Sequence, residues 1–363
     1  MGYRLFGIEM QSPFIIGSGP LSYGAPGLIR LHQAGAGAVV TKTINLVAAE
    51  NAVTHMASCG MNTLINCEKW SDYGPERWIT NDIPQSKTAG VVVIASVGVS
   101  LCAQPELVTR MIEAGADMIE LVSYDETELK TMAETLRPYC TVPMLAKLSA
   151  NYRDMLKVAG ACRKAGCDGF TACDSIGPVM KIDIETGRPV LGGKDGKGWL
   201  SGAMIKPIIL QKIVELRQKF DCPIIGLGGI TTWQDAIEFT MAGADALGIC
   251  TAPILMGVET IGKLNKGVER YLADRGYDGL DAIRGMTLSR LPEQELMDSF
   301  HMGFQKENCI GCGRCVTVCA YGVRALDEDG DMTVDEAACR SCGLCVSVCP
   351  KNCITVNRGL ISC

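Results

Sequence analysis

Eight cysteines toward the end of the chain repeat one pattern twice: Cys309-x2-Cys312-x2-Cys315-x3-Cys319, then Cys339-x2-Cys342-x2-Cys345-x3-Cys349-Pro350. This spacing restricts the fold of its segment more than any other feature. A short loop with three thiols at such intervals aims them at one iron–sulfur cube, and the fourth cysteine of each run ligates the other cluster. The expected ligands of cluster one are Cys309, Cys312, Cys315 and Cys349. Those of cluster two are Cys339, Cys342, Cys345 and Cys319. Gly311, Gly313 and Gly343 permit tight turns and leave amides free to donate to sulfur. Zinc, the competing occupant, is held by pairs of Cys-x2-Cys rather than by two four-cysteine runs.

The segment resembles a bacterial-type two-cluster ferredoxin. One departure is Ala320, where proline usually follows the fourth cysteine. The chain has 19 cysteines in 363 residues, an odd number in a chain too large to need disulfide staples. That usage points to a reducing compartment, the cytoplasm. Several of the other cysteines sit in apolar runs, Cys173 and Cys250 among them, and read as small buried hydrophobes. A net charge of −6 without a long basic run argues against non-specific nucleic-acid binding. The apolar run at 91–99 is too short to span a membrane, and MGYRLFGIEM lacks the apolar core of a secretory signal.

Residues 1–290 alternate short apolar runs with amphipathic segments. The expected strands are 13–18, 38–42, 91–97, 118–122, 143–148, 169–173, 223–227 and 246–250. Each is followed by enough chain for a return helix, so the expected fold is α/β, a parallel (β/α)8 TIM barrel. AGAGAV, AGADMI, AGCDGF and AGADAL, at 34, 114, 165 and 242, each precede a strand. They read as a helix ending at a glycine, a tight turn and a buried strand. A doubly wound sheet is the alternative, but the G-x-G-x-x-G it would carry after its first strand is missing. A nicotinamide or FAD domain is therefore not expected in this chain. The polar stretch 286–306 forms the connection, with the linker set at 291–306 and a ferredoxin-like two-cluster domain at 307–363.

Barrel chemistry sits at the C-terminal ends of the strands. Those ends offer Ser18 and Gly19, Lys42 and Thr43, Ser123 to Asp125, Lys147 and Asn151, Asp174 and Ser175, Gly228 and Gly229, and Cys250 and Thr251. Lysines that end apolar strands need a negative partner, either an anionic ligand or a salt bridge across the barrel mouth. Gly228-Gly229 with Thr251 matches the usual phosphate site of such barrels.

SPFIIGSGP, GAVVTKT, GADMIEL, AKLSANYRD, IETGRPVLGG, GWLSGAMIKP and PIIGLGGITTWQDA resemble the FMN barrel of dihydroorotate and dihydropyrimidine dehydrogenases. The fused cluster segment is similar to the C-terminal end of the latter. The resemblance implies FMN contacts from Gly19, Lys42, Thr43, Lys147, Gly202, Gly228, Gly229 and Thr251, with Lys147 near the flavin N1/O2 edge. Ser18 and Cys250, at neighbouring strand ends, are added to that set. For the substrate it implies Asn66 and Glu68 from INCEKW and Asn151; at the next substrate position the family's Asn-Thr becomes Asp174-Ser175 in TACDS, which replaces an amide that donates and accepts with an ionisable acceptor. Two further departures stand out. Where the family's fourth strand continues Asn-Leu-Ser-Cys-Pro, this chain has Val122-Ser123-Tyr124-Asp125, so the acid/base position falls on Asp125. The family's lid loop is almost absent, and Ser123 with Glu126 spells a capping box, which gives Asp125 a second reading as a helix-start carboxylate.

The implied activity is an FMN-dependent oxidoreductase acting on CH–CH groups, with electrons passing between an external donor, the clusters and FMN. The substrate would be a small molecule, a cyclic amide such as a pyrimidine. Tyr124, Asp125, Glu68 and Asp174 are the candidates for the proton donor. Two alternatives stay open: an electron-relay subunit without an organic substrate, and a barrel that has lost FMN. The expected donor is a separate reductase subunit or a small ferredoxin. The resemblance also implies a homodimeric core or a hetero-oligomer.

Overall fold

Each expected run contributes one barrel strand: β1 (Phe14–Ile16), β2 (Ala38–Val40), β3 (Val93–Gly98), β4 (Met118–Val122), β5 (Met144–Leu148), β6 (Gly169–Ala172), β7 (Ile224–Leu227) and β8 (Ala246–Ile249). They pair in parallel in chain order, and β8 returns to β1, closing the barrel. The return helices include α1 (Ala25–Gln33), α2 (Ile83–Thr88), α3 (Glu106–Glu113), α4 (Glu126–Leu136), α5 (Met155–Lys164), α6 (Lys206–Lys219), α7 (Trp233–Ala242) and α8 (Thr260–Asp274). The computed structural model describes residues 2–295 and 302–356. The chain divides into two compact units, Met1–Leu291 and Pro292–Cys363.

The two-residue period of a strand decides what faces the barrel axis. Ile15, Val40, Ile94, Met118, Leu145, Ile225 and Ala246 form the interior core. The N-terminal hairpin, Tyr3–Leu5 paired with Ile8–Met10, adds Leu5 and Met10 to this cluster. Two residues further along three of the strands, the same face carries Ser96, Glu120 and Lys147. Thr171 lies opposite Lys147 in the β5–β6 register. All four are buried. The barrel interior is therefore apolar in one layer and polar in the next.

The four AG repeats have a common physical basis. Gly35, Gly115, Gly166 and Gly243 all take positive φ, between 101° and 118°, the conformation that ends a helix and turns the chain back. In three of the repeats the aspartate that follows accepts the amide of the neighbouring strand's start: Asp117 from Val93, Asp168 from Met144 and Asp245 from Ile224, at 2.7 to 2.8 Å. Each aspartate also pairs with a cation, Lys87, Arg137 and Arg217 respectively. A Cβ on the glycine would stand 2.5 to 2.6 Å from the stem of that same cation.

The excursions after β2 and β6 contain a four-stranded antiparallel sheet. Its order is Ile176–Val179, Gly198–Gly202, Thr63–Asn66, Met56–Gly60. The helix after β4 starts at Glu126, and its cap is Asp125, not Ser123. Asp125 Oδ1 accepts from the amides of Thr127 and Glu128 at 2.8 and 3.0 Å. Ser123 instead accepts from the Asp125 amide and donates to Glu128.

In the second unit, Met302–Phe304 pairs antiparallel with Ile354–Val356, and Arg324–Leu326 with Met332–Val334. Met302–Phe304 was expected as linker; an edge strand closing on the far end of the cluster module corrects that expectation. Residues 296–301 of the expected linker and 357–363 of the expected cluster domain lie outside the described residues. Two short helices, Arg314–Thr317 and Leu344–Ser347, follow Gly313 and Gly343 at φ 67° and 79°. Among the described residues no helix is long and apolar enough to cross a membrane.

Candidate active site and cluster sites

The C-terminal mouth of the barrel opens into a cavity of about 1390 Å³. Its wall includes Ser18, Gly19, Lys42, Thr43, Lys147, Cys250 and Thr251 from the strand ends. Tyr124, Asp125, Asp174 and Ser175 complete the side formed by β4 and β6. The antiparallel sheet and the chain beside it bring Asn66, Glu68, Trp199 and Ser201. The structure thus gathers residues that lie far apart in sequence.

Two buried ion pairs define the electrostatics. Lys147 Nζ stands 3.4 Å from Asp174 Oδ1, and Lys42 Nζ stands 2.7 Å from Glu68 Oε1. Burial alone would lower the Lys147 ammonium, but Asp174 and Glu120 outweigh it and hold the group above its ordinary range. Glu120 is pushed up chiefly by burial. Its Oε2 accepts from Thr171 at 2.7 Å. Its Oε1 has no hydrogen-bond partner among the described residues. Burial pushes the Cys250 thiol up to about 11, which disfavours its thiolate form. A Cβ on Gly19 would fall 2.7 Å from Cys250 Sγ, so this close approach needs glycine. Ser18, Thr43 and Ser96 form a chain of hydroxyl contacts at 3.3 and 3.1 Å.

Tyr124 lies against Trp199, with ring centroids 5.5 Å apart. Its hydroxyl is 3.4 Å from Ser175 Oγ. The residue as a whole is half exposed, but desolvation around its hydroxyl, then the Asp174 charge, pushes its phenol upward. Asp125, the other candidate from this loop, reaches the cavity wall but spends its side chain on the α4 amides, which weakens its claim as a proton donor.

Some expected residues are not brought to the cavity wall. Asn151 accepts from the Gly177 amide at 3.4 Å and lies outside it, because the loop after β5 turns toward the antiparallel sheet. Gly202, Gly228 and Gly229 also stand off the wall. All three have positive φ, and a Cβ on Gly229 would meet the Lys206 backbone nitrogen at 2.8 Å, at the start of α6. They lie in the backbone around a helix N-terminus, where amides can meet an anion. Sequence reasoning missed Glu120 and Trp199. The signal for Glu120 was a carboxylate in the middle of the apolar run MIELV; Trp199 had none, because its place depends on the sheet.

In the second unit, one small cavity is lined by Cys309, Cys312, Cys315 and Cys349. Another is lined by Cys319, Cys339, Cys342 and Cys345. The fourth cysteine of each run thus faces the other run's loop. Among the described residues no group of three or more metal-binding side chains converges closely enough for a single ion. Thiols spaced around a cavity suit a cube of iron and sulfur better than a tetrahedral zinc. The Gly311 amide donates to Cys309 Sγ at 3.4 Å and the Cys353 amide to Cys349 Sγ at 3.3 Å.

Comparison with known proteins fits both units. The family model for dihydroorotate dehydrogenase matches residues 2–272. The chain belongs to that family. A model for a 4Fe–4S dicluster domain matches residues 304–356. Among curated relatives, the NAD-dependent dihydropyrimidine dehydrogenase subunit PreA of Escherichia coli (strain K12) is 31% identical over 362 residues, covering 90% of this chain and 87% of the relative. The catalytic subunit of dihydroorotate dehydrogenase B (NAD(+)) of Pyrococcus furiosus is 33% identical over 302 residues, covering 78% of this chain and 97% of the relative. The corresponding subunit of Methanothermobacter thermautotrophicus is 31% identical over 302 residues, covering 77% and 95%. This member of the family is an iron–sulfur oxidoreductase of the dihydroorotate/dihydropyrimidine dehydrogenase type.

Proposed function

We propose that this chain is the FMN-binding, iron–sulfur subunit of an oxidoreductase that adds hydrogen to, or removes it from, a carbon–carbon bond of a small cyclic amide. The observation that carries this reading is the buried Lys147–Asp174 pair facing a cavity of about 1390 Å³. Ligand pockets usually run to roughly 300–1,000 Å³, so the cavity has room for a substrate beside a cofactor. Convergent polar groups in so large a space favour an enzyme over a simple electron relay.

Two buried ammonium groups, a row of hydroxyls and glycine backbone suit a flat ligand with an anionic end. Ser18, Gly19, Lys42, Thr43, Lys147 and Cys250 would hold the ring of FMN, and Thr251 with the backbone at Gly202, Gly228 and Gly229 its phosphate. When bound, FMN supplies hydride transfer at N5. Lys147 holds negative charge at the cavity floor, and Asp174 keeps that lysine cationic. Lys42 orients Glu68 beside Asn66, so an acceptor and an amide face a ring that offers N–H and C=O groups. Tyr124 is the proton donor in this scheme. Glu68 and Asp174 are each engaged by an ammonium, at 2.7 and 3.4 Å, and Asp125 caps a helix. The Tyr124 phenol keeps its proton at neutral pH and carries it at Oη, beside Ser175.

The curated relatives named above are subunits, and this chain has no G-x-G-x-x-G. A separate chain is therefore proposed to exchange electrons with a nicotinamide and pass them through the clusters. The proposed location is the cytoplasm, which keeps the cysteines reduced. The test is anaerobic: photoreduce the purified holoprotein, then mix it with a panel of unsaturated cyclic amides. Reoxidation of the visible spectrum together with a product two hydrogens heavier supports the proposal. Protein purified without flavin, or flavin that stays reduced with every acceptor, overturns it.

A further inference from the structure

The two cluster runs are a repeat, so equivalent positions can be compared within the chain. Five residues after the last cysteine of each run stand Arg324 and Ile354. Both are buried, at 4% and 3% exposure, and both lie on short antiparallel strands. Ile354 lines the cavity of the first site, and Arg324 lines the cavity of the second. One half of the module thus places an alkyl group where the other places a guanidinium.

The Arg324 side chain also reaches between the sites. Its Nη1 stands 2.8 Å from Met332 Sδ, and Met332 lines the first cavity. An arginine stays charged at any working pH. Four thiolates around a cluster leave an anionic site, and the reduced cluster is more negative still. A nearby cation in a place shielded from water therefore stabilises the reduced form and raises the potential.

We propose that Arg324 makes the two clusters unequal, setting the one held by Cys319, Cys339, Cys342 and Cys345 at the more positive potential. An electron in the module then rests preferentially on that cluster. Arg324 is a positioning residue for charge, not a ligand. The proposal rests on the clusters alone and is independent of FMN and of the organic substrate.

The experiment is an anaerobic redox titration of the full chain followed by electron paramagnetic resonance, with iron content measured on each sample. The wild type is expected to show two separate midpoints. Arg324→Ile, which copies the other half of the repeat, is expected to retain its iron while the higher midpoint falls. The intercluster equilibrium should change by tenfold or more, about 59 mV for one electron. Arg324→Lys, which keeps a charge, should retain most of the gap. Coincident midpoints in the wild type, or an iron-replete Arg324→Ile protein with the gap intact, overturn the proposal. If Arg324→Ile does not load iron, Arg324→Gln takes its place. If neither neutral variant loads, the wild-type titration decides, separate midpoints supporting the proposal and coincident ones overturning it.

Discussion

Lys147 Nζ lies 3.4 Å from Asp174 Oδ1, with the lysine on β5 and the aspartate just past the end of β6. The strand register places Lys147 opposite Thr171, and Thr171 donates to Glu120. One ammonium thus stands among two carboxyl groups at the level where the barrel interior changes from apolar to polar. This arrangement explains how a lysine 6% exposed remains a cation: its neighbours offset the cost of burial.

Lys147→Met should therefore damage the protein in two separable ways. Removing one partner of a buried pair leaves an uncompensated charge and costs about 3–5 kcal/mol. Thermal unfolding of the protein stripped of cofactor measures that part. The cavity also loses the cation at its floor, and flavin retained after desalting, read by absorbance, measures the second part. An unchanged Tm would mean that Asp174 finds another partner.

Glu120 gives a prediction in pH. Its folded-state pKa is raised above the unfolded value, chiefly by burial. The folded protein therefore holds this proton more tightly than the unfolded chain does. The stability from the protonated form is fully present below the unfolded pKa of about 4.5 and is lost as pH rises through the folded pKa. Glu120→Gln keeps a neutral side chain at every pH. The wild type should lose Tm relative to the variant as pH increases from about 4.5 toward neutrality. A constant difference across that range would exclude a raised Glu120.

How far sequence alone reaches can be judged from these residues. The eight strands were legible because buried parallel strands are continuous apolar runs, and the glycine–aspartate repeat marked where they begin. Lys42 and Lys147 were legible because a lysine ending such a run demands a partner. The partners Glu68 and Asp174 were named for other reasons, as substrate ligands and candidate proton donors. The antiparallel sheet was not legible: its strands are four or five residues long, rich in glycine, and paired across more than a hundred residues of chain. Trp199 and the displacement of Asn151 depend on that sheet and were lost with it. The cap at Asp125 was legible in type, since Ser123, Asp125 and Glu126 all favour a helix start. Its register depended on which oxygen reaches the free amides.

Tyr124→Phe tests the proposed proton donor. The ring contact with Trp199 survives the change, and the hydroxyl beside Ser175 does not. Losing a positioned acid typically costs about 10²–10⁴-fold in rate. Turnover with an active substrate should fall by at least about 10²-fold, while reduction of the chain by its electron donor and its Tm stay near wild type. An equal loss in both half-reactions would assign Tyr124 a structural role.

The glycine–cation–aspartate unit predicts stability effects far from the cavity. Asp245 accepts the Ile224 amide at 2.8 Å and pairs with Arg217 and Arg284. Asp245→Ala strands a largely buried Arg217 and a backbone N–H, and should cost about 3–5 kcal/mol. Gly243→Ala forces a left-handed alanine at φ 118° and places its Cβ 2.6 Å from Arg217 Cγ. It should cost about 1–3 kcal/mol. Urea unfolding of both variants and of Asp245→Ala/Gly243→Ala should show less than additive losses, because both changes act on Arg217.

The interlocked cysteine sets can be tested by pairing substitutions. Cys349 belongs in sequence to the second run, yet it lines the cavity of Cys309, Cys312 and Cys315. If that cavity is one cluster site, Cys312→Ser and Cys349→Ser damage the same cluster. The double variant should then lose no more iron than the worse single variant, about half of the total. Cys342→Ser with Cys349→Ser removes a ligand from each site, and should lose most of the iron. A chain in which each run held its own cluster would give the reverse result, with Cys342 and Cys349 failing together and Cys312 and Cys349 failing separately. Iron analysis of the four anaerobically purified proteins, with electron paramagnetic resonance of the reduced samples, separates the two arrangements without any knowledge of the substrate.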